Sequence, residues 1–158
     1  MLRAGDTAPD VALPDQTGTV RPLSAIADGR RTVLFFYPAA MTTGCTKESC
    51  HFRDLAREFE EAGAARVGIS MDAVDKQAAF ADRHGFDYPL LSDPDGAVAK
   101  TFGVKRSLGL LKVRRVTFVL DEDRRVLEVI GSELNMSRHA DRALEVLAAT
   151  PRHHAGGA

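Results

Sequence analysis

The sequence has only two cysteines, no tryptophan, and no excess of charge of either sign. Its 21 lysines and arginines nearly balance 22 aspartates and glutamates, so nothing in the charge favours nucleic acid or an anionic membrane as a partner. No apolar run approaches the roughly 20 residues that cross a bilayer. The start, MLRAGDTAPD, lacks an apolar signal segment, which favours a cytoplasmic protein.

What is present is typical of a globular protein. Apolar residues make up 44% of the 158 residues and charged residues 27%, which predicts one domain over residues 1–150 and a flexible tail over 151–158. Two cysteines are too few for a secreted disulfide scaffold. In a reducing cytosol, paired thiols are more often catalytic, redox-active or metal-binding than permanently bridged.

The apolar pattern predicts alternating strands and helices. A turn-forming DQTG indicates a hairpin over residues 11–20, and the non-alternating TVLFFYP indicates a buried strand over 32–38. A strand is also predicted at 65–70, a strand end followed by a turn at 88–96, and a pair of strands at 114–130. Helices are predicted at 46–62, 74–84, 97–102 and 137–149. This order predicts an α/β protein of thioredoxin-like fold: a central mixed sheet flanked by helices, with an N-terminal hairpin extension.

Both cysteines lie in FFYPAAMTTGCTKESCHFRDL, residues 35–55. Cys45 follows a strand and opens a helix, where free backbone N–H groups and the helix dipole favour a thiolate. Cys50 lies about 140° further around that helix. Cα atoms five residues apart in a helix are roughly 8.7 Å apart, whereas a disulfide needs them within about 7 Å. The two thiols therefore cannot bond while the helix is intact.

The same segment resembles the active-site segment of the peroxiredoxins. Their signature P-x-x-x-T/S-x-x-C is matched by Pro38, Thr42 and Cys45, and a second cysteine five residues on resembles the Q-type branch, the bacterioferritin comigratory proteins. The segments GDTAPDVALPDQTG, VGISMD, FDYPLLSDPDG and RVTFVLD extend the resemblance over nearly the whole chain. Thr43 stands where the branch usually has proline, from which we expect a small change in loop rigidity.

The resemblance implies a thioredoxin-dependent peroxidase that uses no cofactor or metal. Cys45 would attack hydrogen peroxide or an organic hydroperoxide and become a sulfenic acid. Cys50 would resolve that acid as an intramolecular disulfide, which thioredoxin or a similar dithiol would reduce. The Q-type resemblance further implies a monomer or a weak dimer. The implied supporting groups are Thr42, which orients the peroxide, Pro38, which shields the thiol, Arg115, which holds thiolate and peroxide, and the N–H groups of Gly44 and Cys45.

Simpler interpretations remain open for several of these residues. Cys50 can be an inert thiol, Pro38 can simply end a strand, and Thr42 can cap the helix as well as bind peroxide. Adjacent strand residues face opposite sides, so only one of Arg114 and Arg115 can reach the site. Arg115 is preferred because it stands two residues before Thr117 in R-x-T-F-V.

Further side chains near the motif have more than one interpretation. Glu48 is a candidate capping-box carboxylate. A zinc site of Cys45, Cys50 and His51 is disfavoured, since the spacing is wrong and a fourth ligand is missing. Phe36, Phe52 and the apolar residues 108–111 are expected near the mouth, which favours organic peroxides. The remaining histidines are interpreted as surface or tail residues: His84, His139, His153 and His154.

Two other functions use the same residues. A thiol-disulfide oxidoreductase on this fold is disfavoured by the absence of C-x-x-C and by the presence of Thr42 with Arg115. A redox sensor or relay that passes oxidation to a partner would share the Cys45 chemistry but turn over poorly with thioredoxin.

Overall fold

The computed structural model describes residues 1–109 and 111–152. Most of the predicted tail, with His153 and His154, lies outside the described residues. The strands are β1 (Ala12–Pro14), β2 (Val20–Pro22), β3 (Arg31–Phe36), β4 (Ala64–Ser70), β5 (Leu90–Ser92), β6 (Val116–Leu120) and β7 (Val126–Gly131). The helices are α1 (Leu23–Ala27), α2 (Thr43–Asp54), α3 (Ala56–Glu61), α4 (Val74–His84), α5 (Ala97–Phe102) and α6 (Met136–Ala149).

The central sheet has five strands in the order β5-β4-β3-β6-β7, and β1 and β2 form the predicted hairpin. Strands β3, β4 and β5 are parallel, while β6 is antiparallel to both β3 and β7. All six residues of β3 are buried, because this strand lies at the centre of a sheet that is covered on both faces. The architecture is the thioredoxin-like fold predicted from the sequence.

Alternate residues of β3 enter two separate cores. Val33 and Phe35 pack with residues of α2, α3, α4 and α6 on one face. Leu34 and Phe36 pack with residues of α1 and α5 on the other face. Among the described residues, no helix is long and apolar enough to cross a bilayer.

The helix predicted over 46–62 differs from the observed one at its start and its centre. Helix α2 begins at Thr43, so Cys45 lies inside its first turn. The helix is interrupted at Leu55, whose φ of −97° and ψ of 21° are not helical, and α3 follows. The guanidinium of Arg66 donates to the Phe52 carbonyl over 2.9 Å. In a continuous helix the same carbonyl would accept from the backbone N–H of residue 56.

The prediction also missed α1, a single turn of five residues directly after the hairpin. Helices α4 and α5 have the predicted bounds, and α6 begins one residue earlier than predicted. Gly85 ends α4 with a φ of 64°, a left-handed conformation that glycine adopts without steric cost. The site is therefore framed by three neighbouring parts: the loop after β3, the first turns of α2, and the start of β6 beside β3.

Candidate active site

Cys45 is the third residue of α2 and is completely buried on the α2 and α6 face of the sheet. Both cysteines are free thiols. The backbone N–H groups of the first helical turn have no partner within the helix, so the amides of Gly44 and Cys45 belong to the positive end of its dipole. This is the position that the sequence predicts for the thiol.

The loop between β3 and α2 is held by the end of β4. The Ala40 N–H donates to the Asp72 carboxylate over 2.7 Å, and the Ser70 hydroxyl donates to the same oxygen over 2.7 Å. Met41 has a φ of 68°, which is uncommon for a residue with a side chain. The sequence analysis did not identify Asp72 as an anchor of this loop.

Thr42 and Pro38 lie on the loop that leads to Cys45. Pro38 is partly buried and Thr42 is exposed. Thr42 is the N-cap residue by position, and its carbonyl accepts from the Thr46 N–H over 2.9 Å. Its hydroxyl does not cap the helix, contrary to the prediction, because it donates to the Ala39 carbonyl over 2.7 Å.

Arg115 precedes β6 and turns its guanidinium into the buried space beside Cys45. Its Nη2 donates to the Cys45 Sγ over 3.3 Å, and its Nη1 donates to Glu48 Oε1 over 2.8 Å. Arg114 is exposed at the surface. Burial alone would lower the pKa of Arg115, but Glu48 and Cys45 outweigh it and the pKa is raised. The guanidinium therefore stays charged next to the thiol.

Gly44 leaves the space that Arg115 occupies. A Cβ built on Gly44 would lie 3.2 Å from Nη2 of Arg115 and 3.5 Å from the sulfur of Met136. The first distance is closer than most side chains tolerate, so glycine at this position allows the guanidinium to approach the helix.

Glu48 is fully buried and is not the capping-box carboxylate that the sequence suggested. Since α2 begins at Thr43, Glu48 lies one and a half turns inside the helix and beyond the reach of its N-terminus. Its Oε1 lies 2.8 Å from Nη1 of Arg115, and both side chains are buried. Burial raises the pKa of Glu48 to about 8, although Arg115 opposes that change.

His139 was interpreted from sequence as a surface residue, and this is wrong. Its side chain is fully buried, with Nδ1 2.8 Å from the Thr117 hydroxyl and 3.5 Å from Glu48 Oε2. The sequence carried a signal for this position, because His139, Ala143 and Val146 share one stripe of α6 at i, i+4 and i+7. Glu48 likewise lies three residues after Cys45 and four before Phe52, on the buried side of α2.

Cys50 is half-buried on another side of α2, and burial raises the pKa of its thiol. The neighbouring His51 turns to α6, where its Nε2 lies 2.7 Å from Asp141 Oδ1. His84 is half-buried at the end of α4, stacked against Phe86.

The two phenylalanines expected at the mouth are both core residues. Phe36 is fully buried on the opposite face of the sheet, packed against Phe102 and Phe118. Phe52 is fully buried and stacked on Phe35. Leu108 and Leu111 are exposed by 86% and 46%, and Leu110 lies outside the described residues.

A buried thiol at a helix N-terminus, paired with a guanidinium on a thioredoxin-like sheet, defines a thiol-dependent redox enzyme. Residues 4–129 match the AhpC/TSA family. The chain is 38% identical over 151 residues to peroxiredoxin Bcp of Escherichia coli, covering 92% of this chain and 96% of that protein.

Two solved structures are also similar. The peroxidoxin BcpB of Mycobacterium tuberculosis has a TM-score of 0.91 at 60% identity, covering 96% of this chain and 99% of that one. The bacterioferritin comigratory protein of Xanthomonas campestris has a TM-score of 0.83 at 34% identity, covering 92% of this chain and 98% of that one. The chain belongs to the AhpC/TSA family, among the peroxiredoxins related to Bcp and peroxiredoxin Q, and is a thiol-dependent peroxidase.

Proposed function

We propose that Cys45 is the peroxidatic nucleophile of this enzyme and that Arg115 is its catalytic partner. The observation that carries the proposal is the 3.3 Å contact between Arg115 Nη2 and the Cys45 sulfur. A cation at this distance stabilises the thiolate, which is the nucleophilic form of cysteine. The Nε of Arg115 is also buried and has no acceptor among the described residues, so it is a donor available to a peroxide oxygen.

The first step breaks the O–O bond of the peroxide. The thiolate attacks one oxygen, which becomes the sulfenic acid of Cys45, and the other oxygen leaves and takes a proton to become water or an alcohol. Arg115 and the N–H groups of Gly44 and Cys45 face the charge that develops on the leaving oxygen. Thr42 orients the peroxide. Pro38 shields the thiol.

The second step uses Cys50. Its thiol condenses with the sulfenic acid, forming an S–S bond and releasing water, and a dithiol such as thioredoxin then reduces the disulfide by exchange. Both cysteines belong to one continuous helix in the reduced structure. The condensation therefore requires the first turns of α2 to unwind.

We infer that the substrates are hydrogen peroxide and organic hydroperoxides. The related Xanthomonas campestris protein is described by its alkyl peroxide reduction activity, which supports the organic substrates. We expect the enzyme to work as a monomer or weak dimer in the cytoplasm, where thioredoxin keeps thiols reduced.

Thioredoxin-coupled oxidation of NADPH with hydrogen peroxide, an alkyl hydroperoxide and a lipid hydroperoxide tests this function. Turnover with at least one peroxide, absent from Cys45→Ser, is the expected result. A protein that consumes one equivalent of peroxide but is not recycled by thioredoxin or another dithiol would instead be a redox sensor. Reduction of insulin disulfides would indicate an oxidoreductase.

A further inference from the structure

The buried carboxyl of Glu48 has one oxygen that its surroundings do not satisfy. Oε1 accepts from Arg115 over 2.8 Å, whereas Oε2 accepts no hydrogen bond from the described residues. Nδ1 of His139 lies 3.5 Å from Oε2. A carboxylate oxygen buried without a donor is costly, so this arrangement calls for a proton between the two side chains.

The tautomer of His139 follows from its neighbours. Nε2 lies 2.8 Å from the Ser132 carbonyl, which can only accept, so Nε2 carries a hydrogen. Nδ1 is then either a bare acceptor or the second N–H of an imidazolium. The Thr117 hydroxyl, 2.8 Å from Nδ1, can donate or accept and does not decide between them.

We propose that the Glu48 carboxyl carries a proton in the reduced enzyme and that His139, whose Nδ1 lies 3.5 Å from Oε2, is a neutral imidazole. The alternative, an imidazolium beside a carboxylate, places a second cation in the same buried space as Arg115. Burial in a medium of low dielectric constant favours the neutral pair over the ionised pair.

The ionisable groups around Glu48 support this placement. They are Cys45 on α2, Tyr88 before β5, Arg115 before β6, Glu133 between β7 and α6, and His139 on α6. Burial and the charge of Glu133 both raise the pKa of Glu48, and only Arg115 lowers it. Burial lowers the pKa of His139, and the charge of Arg115 lowers it further. Burial also raises the pKa of Tyr88, so its hydroxyl stays neutral and donates to the Ser49 carbonyl.

The protonation state of Glu48 determines how much of the charge of Arg115 stabilises the Cys45 thiolate. A guanidinium shared between a carboxylate and a thiolate stabilises each less than it would stabilise one alone. With Glu48 neutral, the guanidinium no longer divides its charge between the two side chains that it contacts, and that charge acts on the Cys45 thiolate. His139 is then a positioning residue that acts on the thiol through Glu48. This role deepens the proposed function of the Cys45 site and rests on it.

Infrared spectroscopy of the reduced enzyme tests the proposal directly. We expect the C=O stretch of a protonated carboxyl at pH 7, present in the wild type and in the matched control Glu128→Gln, which changes a carboxylate paired with Arg142, but absent from Glu48→Gln. Identical spectra for the wild type and Glu48→Gln in this region would overturn it.

The role of His139 is tested by His139→Phe, which removes the acceptor and keeps a ring of similar size. The C=O band should shift because the polar imidazole beside the carboxyl is lost, and a merely structural histidine would leave the band in place. Should this variant not fold, ¹⁵N NMR of the wild-type imidazole still decides. A neutral ring protonated at Nε2 from pH 6 to 8 is expected, and an imidazolium at pH 7 would contradict the proposal.

Both measurements use the resting enzyme without peroxide, so their outcome is independent of turnover. An enzyme that shows the carboxyl band but lacks peroxidase activity would keep the proton placement and lose the proposed function.

Discussion

At the scale of single residues, Arg115 and Gly44 together determine what lies beside the Cys45 sulfur. The guanidinium contacts both the Cys45 sulfur and Glu48, and a Cβ on Gly44 would press against it at 3.2 Å. In the proposed mechanism, Arg115 supplies the cation that activates the thiol. Gly44 leaves room for that guanidinium because it has no side chain.

Replacement of Arg115 by alanine should slow the reaction with peroxide by about 10²–10³-fold, the usual cost of losing one donor to a developing oxyanion. The matched control is Arg114→Ala, which removes a neighbouring exposed guanidinium and should change the rate little. Stopped-flow measurement of the oxidation of each reduced variant compares them. The reverse order would show that Arg114, and not Arg115, acts on the thiol.

Gly44→Ala should lower the same rate by a smaller factor, because a methyl group pushes the guanidinium away from the sulfur without removing its charge. The second-order rate constant with peroxide is the measurement, and circular dichroism checks that α2 is intact. A rate equal to that of the wild type would show that the 3.3 Å contact is not needed for activation.

The sequence predicts the motif residues better than their buried partners. Pro38, Thr42 and Cys45 belong to one short segment, so their spacing is visible directly. Glu48 and Arg115 meet across 67 positions of the chain, and no local pattern pairs them. His139 was missed because its polarity was given more weight than its place on the apolar stripe of α6.

At the scale of elements, the proposed mechanism requires α2 to exist in a folded and a partly unwound state. Weak helix formers dominate its first turns, at Thr42, Thr43, Gly44, Thr46 and Ser49, so the backbone resists unwinding little. Cys45, Glu48 and Ser49 are nevertheless fully buried, and unwinding breaks the contact between Glu48 and Arg115. The proposed protonation of Glu48 would weaken that contact and make the opening easier.

Oxidation to the Cys45–Cys50 disulfide should therefore melt roughly one to two turns at the start of α2 and leave the rest folded, as a local unfolding event. Phe52 stacks on Phe35 and holds the second half of the helix. Amide hydrogen exchange on the reduced and disulfide forms is the test. Equal protection of residues 45–51 in both forms would exclude this mechanism.

Most elements were predictable because their apolar patterns extend over many residues and their ends carry clear signals. Helix α4 ends at a glycine, and β3 is a continuous apolar run. The interruption at Leu55 was not predictable, since the apolar stripe continues from Phe52 to Phe59 across it. It coincides with the contact from Arg66, which lies on β4 and is distant in sequence.

At the scale of the whole molecule, Glu48 links stability to pH. Burial raises its pKa to about 8, from about 4.3 in an unfolded chain. Between these values the folded protein keeps a proton that the unfolded chain has released, so the contribution of Glu48 to stability falls as pH rises.

The stability of the wild type relative to Glu48→Gln should therefore decrease between pH 5 and pH 8. Urea unfolding of both proteins across this range measures the difference between their free energies of unfolding. The other titrating groups contribute equally to both proteins and cancel from this difference. A difference that stays constant over this range would mean that Arg115 keeps the carboxyl ionised in the folded protein.

The account rests on Cys45 reacting first and Cys50 second. Mass spectrometry after one equivalent of peroxide, with dimedone present to trap sulfenic acid, tests this order in the wild type and both serine variants. The account predicts a Cys45–Cys50 disulfide in the wild type, a dimedone adduct on Cys45 in Cys50→Ser, and no oxidation in Cys45→Ser. An adduct on Cys50 in Cys45→Ser, formed as fast as the wild-type disulfide, would contradict it.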